Sequence, residues 1–173
     1  LTSNMATEQI LILQGMGCAS TYELISIMMD AISSEKVRSQ DKSNAYTYII
    51  NNLYTLPHVS RYLQLNHAIW AEGHGSYMNV ASAFNNLLAR LKSDSERDTI
   101  SAFIETNKNT LGQAAYDSIK NGLTEYETNK QFTLRNRDEI STFLKKKANG
   151  GAGAVFANVS MIVSLLVLVV CRW

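Results

Sequence analysis

An all-α fold is what this sequence predicts, and three observations carry the expectation. Apolar residues recur at three- and four-residue intervals along almost all of the chain, the spacing that gathers side chains on one helix face. No stretch shows a convincing period-two alternation, so strands are not expected. One proline in 173 residues leaves helices largely uninterrupted. Eight or so antiparallel helices with short links make a helical array rather than a closed four-helix bundle. No strict sequence period marks a named repeat, although stacked helix pairs would have this pattern.

Taken in order, Ile10, Leu11 and Leu13 predict a first short helix, ended by Gly15 and Gly17. Ser20-Thr21-Tyr22-Glu23 has the form of a capping box, in which hydroxyl and carboxylate satisfy orphan N–H groups reciprocally. The helix it opens carries Leu24, Ile25, Met28 and Ile32, and Ser33-Ser34 breaks it. A third helix is expected from about Ser39 to Tyr54, with Ala45, Ile49, Ile50 and Leu53 on one face and Asp41 near its positive dipole end. Pro57 fits the first turn of the next helix, where a missing N–H costs nothing, and that helix buries Val59, Leu63 and Trp70. Gly73-His74-Gly75-Ser76 reads as a loop and cap. Val80, Phe84, Leu87, Leu88 and Leu91 form the clearest apolar stripe in the chain. Ser93-Asp94-Ser95-Glu96 is a second capping box, ahead of Ile100, Phe103 and Ile104. Thr110-Leu111-Gly112-Gln113 is a third, ahead of a longer helix with Tyr116, Ile119, Leu123 and Tyr126. A last helix is expected to be capped near Asn136, with Glu139, and to hold Ile140, Phe143 and Leu144.

The length suits one domain, residues 1–147, with enough chain for a real core. A net charge of +1 excludes a strong field for nucleic acid or anionic surfaces, so no nucleic-acid partner is expected. Cys18 and Cys171 are the two cysteines, too few for a disulfide framework, and Cys18 reads as a small buried apolar residue.

Residues 148–173 have a different composition. Small residues, Asn149-Gly150-Gly151-Ala152-Gly153, lead through a mildly polar spacer to the apolar run Met161 to Cys171. A GPI-attachment signal has this form: small residues at the cleavage site, a spacer of roughly 8–12 residues and an apolar tail of roughly 10–20. Asn149, Gly150 and Gly151 are the candidate attachment residues, because a transamidase must grip an extended, unobstructed backbone. A spanning helix would want about 20 apolar residues. Asn158, Ser160 and Ser164 interrupt this stretch, and only Arg172 supplies a basic flank. A buried core helix is the third reading of the run. A GPI signal acts in the endoplasmic reticulum lumen, and Leu1 to Glu8 does not have the form of a secretory leader. The expectation is therefore a C-terminal piece of a longer exported protein, held on the outer face of the cell membrane.

Little in the body carries chemistry. His58, His67 and His74 lack the i, i+4 spacing of a helical zinc site, and H-E-x-x-H is absent. There is no G-x-S-x-G and no phosphate-binding G-x-x-x-x-G-K. Lys145-Lys146-Lys147 reads as a solvated helix end complementing the dipole, or as a patch facing lipid headgroups beside the anchor. The sequon Asn158-Val159-Ser160 lies in the tail.

Val37-Arg38-Ser39-Gln40-Asp41, after the helix that follows Leu13 to Cys18, resembles the "I-R-x-Q-D" segment in the C-terminal helical domain of zinc aminopeptidases of the aminopeptidase N type. Gly73-His74-Gly75-Ser76-Tyr77, leading into Val80 to Leu91 and then Ser95-Glu96, resembles that family's "G-x-G-S-F" turn, with Tyr77 in place of Phe. The helix from Ala114 to Asn129 also fits. The resemblance covers roughly Gln9 to Lys147 and, with a C-terminal GPI signal, is nearest to the insect midgut members. It implies a curved array of about eight antiparallel helices, a HEAT/armadillo-like superhelix, which closes over a catalytic domain and walls its substrate chamber. It implies a parent enzyme that removes N-terminal residues from peptides, with zinc held by H-E-x-x-H and a distant Glu, and G-A-M-E-N gripping the free amine. None of those motifs stands in this sequence, so no catalytic, metal or substrate-binding residue carries over and the piece alone is expected to be inactive. Midgut members also dock bacterial insecticidal crystal toxins. The contrasting expectation is a non-enzymatic helical interaction module on a membrane anchor, and a further one is a tail-anchored cytosolic scaffold.

Overall fold

The computed structural model describes residues 11–12, 14–15 and 17–149. Among these the regular structure is all helical, with turns between the helices and no strand. Residues 11, 12, 14 and 15 are helical, and a turn at 17–18 follows them. Seven helices then come in order: α1 (Tyr22–Ser33), α2 (Ser39–Ile50), α3 (Leu56–His74), α4 (Tyr77–Leu88), α5 (Asp94–Thr106), α6 (Lys108–Leu111) and α7 (Gln113–Asn149).

Local chemistry sets the boundaries, though not always where the sequence placed them. Thr21, in extended backbone, caps α1, and its Oγ1 accepts from the Leu24 N–H at 3.4 Å. The box expected from Ser20 to Glu23 is thus displaced by one residue. Ile25, Met29 and Ile32 are the large apolar side chains α1 buries; Leu24 is exposed and Met28 only partly covered. The Ser34 N–H closes the helix on the Asp30 and Ala31 carbonyls.

Helix α2 ends at Ile50, four residues short of the expected Tyr54, and Leu53 lies exposed beyond it. Polar side chains take the backbone there. Thr55 Oγ1 donates to the Ile49 carbonyl at 2.5 Å, Asn52 Oδ1 accepts from the Tyr54 N–H, and Asn52 Nδ2 donates to the Gly17 carbonyl at 2.8 Å. Such local bonds offer an alternative to the helical ladder. Cys18 is exposed, contrary to the buried apolar role expected of it; Ala19 takes the covered position instead.

Helix α3 occupies the centre of the packing: it lies against α1, α4 and α5. Pro57 sits in its first turn, as expected, and Val59, Tyr62, Leu63 and Trp70 are buried along it. Asn66 departs from helical geometry (φ −122°, ψ 23°), and its side chain donates to the Tyr62 carbonyl. Gly75, at φ 87°, closes α3 in the left-handed region that glycine enters at little cost. Gly73 and His74 are still helical, so the expected loop is shorter than Gly73–Ser76. The stripe of α4 is buried in full: Val80, Phe84, Leu87 and Leu88, with Leu91 just beyond the helix. Phe84 meets Phe103 of α5 with ring centroids 5.4 Å apart.

Two expected helix starts fail. Thr110 lies inside the short helix α6, and Gly112 (φ 75°) separates it from α7. Asn136 opens no new helix: α7 runs on through it, and its Nδ2 donates to the Phe132 carbonyl one turn back at 2.7 Å. No proline or glycine lies between residues 123 and 149 to force a break.

The chain divides into two compact units, residues 1–123 and 124–173, with the division inside α7. The first holds the core. Tyr62, Phe84, Ile25, Met29, Ile49, Leu63 and Ile100 are among its fully covered side chains, each stabilising the fold by about 1.5–3 kcal/mol on burial. In the second, no residue from 124 to 147 is buried.

Candidate functional site

A cleft of about 410 Å³ opens in the first unit. It is lined from α2 by Ser39, Lys42, Ser43 and Tyr46, from the end of α3 by Trp70, Gly73 and His74, and from α4 by residues between Asn79 and Asn86. The expected apolar faces position all three helices. Gly73 lets the end of α3 approach α1 closely: a Cβ there would collide with the backbone of Ser33.

Lys42 is the centre of this arrangement. It is 7% exposed, and its ammonium donates to the Gly73 carbonyl at 2.9 Å and the Ser33 carbonyl at 3.3 Å. These carbonyls end α3 and α1, where backbone acceptors have no partner within their own helix. A buried cation there satisfies them and opposes the negative dipole ends. The α2 face therefore carries a lysine where the sequence signal alone reads a solvated one.

Around Lys42 stands an aromatic cluster. The Trp70 and His74 rings, one turn apart on α3, stack at 4.1 Å between centroids. Tyr46 tilts against Trp70 at 5.3 Å, and Tyr62 meets its edge at 6.4 Å. The Tyr46 hydroxyl donates to the Ala83 carbonyl at 2.7 Å, tying α2 to α4. Burial pushes the Tyr46 phenol well above its usual range, despite Arg90. Tyr62 is likewise raised, by burial and then by its 2.6 Å bond to Asp30 Oδ1. Burial first, and Lys42 second, hold His74 down at about 4, so its imidazole is neutral at pH 7. Two ring nitrogens in this cluster, Trp70 Nε1 and His74 Nε2, are buried without a hydrogen-bond partner among the described residues.

The three histidines stay apart in role. His58 lies near the Tyr22 ring, His67 packs edge-on to Phe103, and His74 belongs to the cleft. No group of three His, Cys, Asp or Glu among the described residues is arranged to hold a metal ion. Lys145, Lys146 and Lys147 are exposed on α7. Of the attachment candidates, Asn149 is the last described residue and is helical; Gly150, Gly151 and the rest of the expected signal lie outside the described residues. No helix among the described residues is long and apolar enough to cross a membrane.

Lys42 and the Trp70–His74 pair were missed in the sequence reading. The pair had a signal, two rings at i, i+4. Lys42 had none, because what buries it is the meeting of two helix ends distant in sequence. No family model, curated protein or solved structure matches the chain.

Proposed function

We propose that the chain is the membrane-proximal helical domain of a GPI-anchored zinc metalloaminopeptidase, a piece that caps the substrate chamber and carries the anchor signal. On this reading the fold is a curved, HEAT/armadillo-like array, the zinc and the catalytic residues belong to an upstream domain of the same polypeptide, and peptides are the substrates. The anchor replaces the tail after Asn149, Gly150 or Gly151, leaving the protein on the extracellular face, where crystal toxins would meet it. The observation that carries the reading is the helical body with its Gly73-His74-Gly75-Ser76-Tyr77 segment, of which Gly75 and Ser76 join α3 to α4, together with the small-residue and apolar segments after Asn149.

The decisive experiment has two arms. Upstream extension of the reading frame should find H-E-x-x-H on the same polypeptide, and phosphatidylinositol-specific phospholipase C should release the protein from membranes. A frame without that motif leaves a non-enzymatic anchored interaction module, a reading favoured by the exposed Phe132, Leu134 and Phe143 of α7. Retention in the membrane after lipase treatment would point to a tail-anchored scaffold.

A further inference from the structure

The cleft around Lys42 has more donors than the fold uses. An ammonium has three N–H groups. Two of Lys42's go to the Ser33 and Gly73 carbonyls. Trp70, 2% exposed, lines the same cleft, and its indole N–H is buried and has no partner among the described residues. A buried donor left in that state forfeits its bonds to water with nothing in return, so its retention calls for a reason. Hydroxyls and amides surround these groups at Ser39, Ser43, Ser82, Asn79 and Asn86. Among the described residues no aspartate or glutamate lines the cleft, and Lys42 is the one lining residue that carries a charge beside the neutral His74.

Helix ends decide the local potential. The C-terminal ends of α1 and α3 bring partial negative charge to Lys42. The first residue of α2, Ser39, and the third of α4, Asn79, line the cleft as well, so two positive helix ends offset those two negative ones. What remains is the charge of the ammonium, in a space large enough for a molecule of several non-hydrogen atoms.

We propose that this cleft binds a small carboxylate, with Lys42 Nζ and Trp70 Nε1 as buried donors and the serine and asparagine side chains as its polar rim. The carboxylate comes from a free acid or from the C-terminus of a peptide. The proposal stands apart from the aminopeptidase reading and does not depend on it.

The test uses the full chain and the indole resonance of Trp70, in a Trp173→Phe background that leaves a single tryptophan. Acetate, acetyl-alanine and acetyl-alanine amide are titrated separately, with inorganic phosphate as the competing anion. Saturable movement of the indole signal with acetate or acetyl-alanine, and none with the amide, is the expected result; which acid binds more tightly identifies the source. Ser43→Asp, an exposed change on the rim, should weaken the carboxylate by about tenfold through like-charge repulsion. Lys42→Met should abolish the response, and the Ser43 variant keeps the test decisive if that protein does not fold. No movement with either acid, equal movement with the amide, tighter binding of phosphate, or an unchanged affinity in Ser43→Asp would each overturn the proposal.

Discussion

The described residues up to Leu123 and those from Thr124 to Asn149 both form helices, yet different forces hold them. In the first unit, helices exist because their apolar faces are covered by one another. Helix α3 has neighbours in α1, α4 and α5, and its buried residues include rings and branched side chains of middling helix propensity. In the second, the described helix lies open along its length. Phe132 is 60% exposed and Phe143 58%. Local bonds run along it. Thr128 and Thr133 hydroxyls donate to carbonyls four residues back, Asn136 does the same, and Gln131 donates to Glu127 Oε1 at 2.9 Å. The Gln131–Glu127 side-chain pair stabilises a helix by only about 0.2–0.5 kcal/mol, and hydroxyl bonds to the carbonyl one turn back add nothing to that. The lesson is that helix in the first unit is a tertiary product, while helix in the second is a propensity product.

The contrast can be broken or sharpened by mutation. Phe84→Ala, which deletes a fully buried ring packed on Phe103, should cost about 3–5 kcal/mol in urea unfolding of the first unit. A loss under about 1 kcal/mol would mean that this core is not the source of stability.

The pH dependence is of intermediate size and also belongs to the first unit. His74 is held near 4 in the fold against about 6.5 when unfolded, so below pH 6.5 the unfolded chain binds the extra proton. Stability from this group is fully present above about pH 6.5 and falls as the pH drops toward 4, because protonation would place a second cation beside Lys42 in a buried site. Replacing His74 with Gln should flatten that part of the profile, as measured by denaturant midpoints at several pH values. An unaltered profile in the variant would remove His74 as the cause.

The smallest effect is expected in the second unit. Phe143→Ser, at an exposed position, should change stability by no more than about 0.5 kcal/mol. A larger loss would show that this face is covered in the folded protein, and would erase the distinction between the two regions.

Much of this architecture was legible in the chain. The stripe from Val80 to Leu91 named the buried face of α4 correctly, Pro57 marked the start of α3, and Ser33-Ser34 marked the end of α1. Misreadings came from polar residues with two uses. Asn136 with Glu139 has the form of a helix start, but an asparagine whose side chain bonds the carbonyl one turn back sits within a helix. Asn52 and Thr55 worked in the opposite direction, drawing the backbone out of α2 before the apolar spacing ended. The cleft was the least legible part: its rim is ordinary serine and asparagine, and its cation lies among apolar residues.

Periodicity alone determined that the protein is helical and which faces of α3 and α4 are apolar, because burial requires side chains at three- and four-residue spacing whatever their neighbours. Only the tertiary structure decided that Lys42 is buried, that the Trp70 N–H is buried with no partner among the described residues, and that the two side chains line one cleft. Those facts arise where Ser33 and Gly73, forty residues apart in the chain, come together across a gap that a single Cβ would close. A local pattern carries no record of which helix ends will meet.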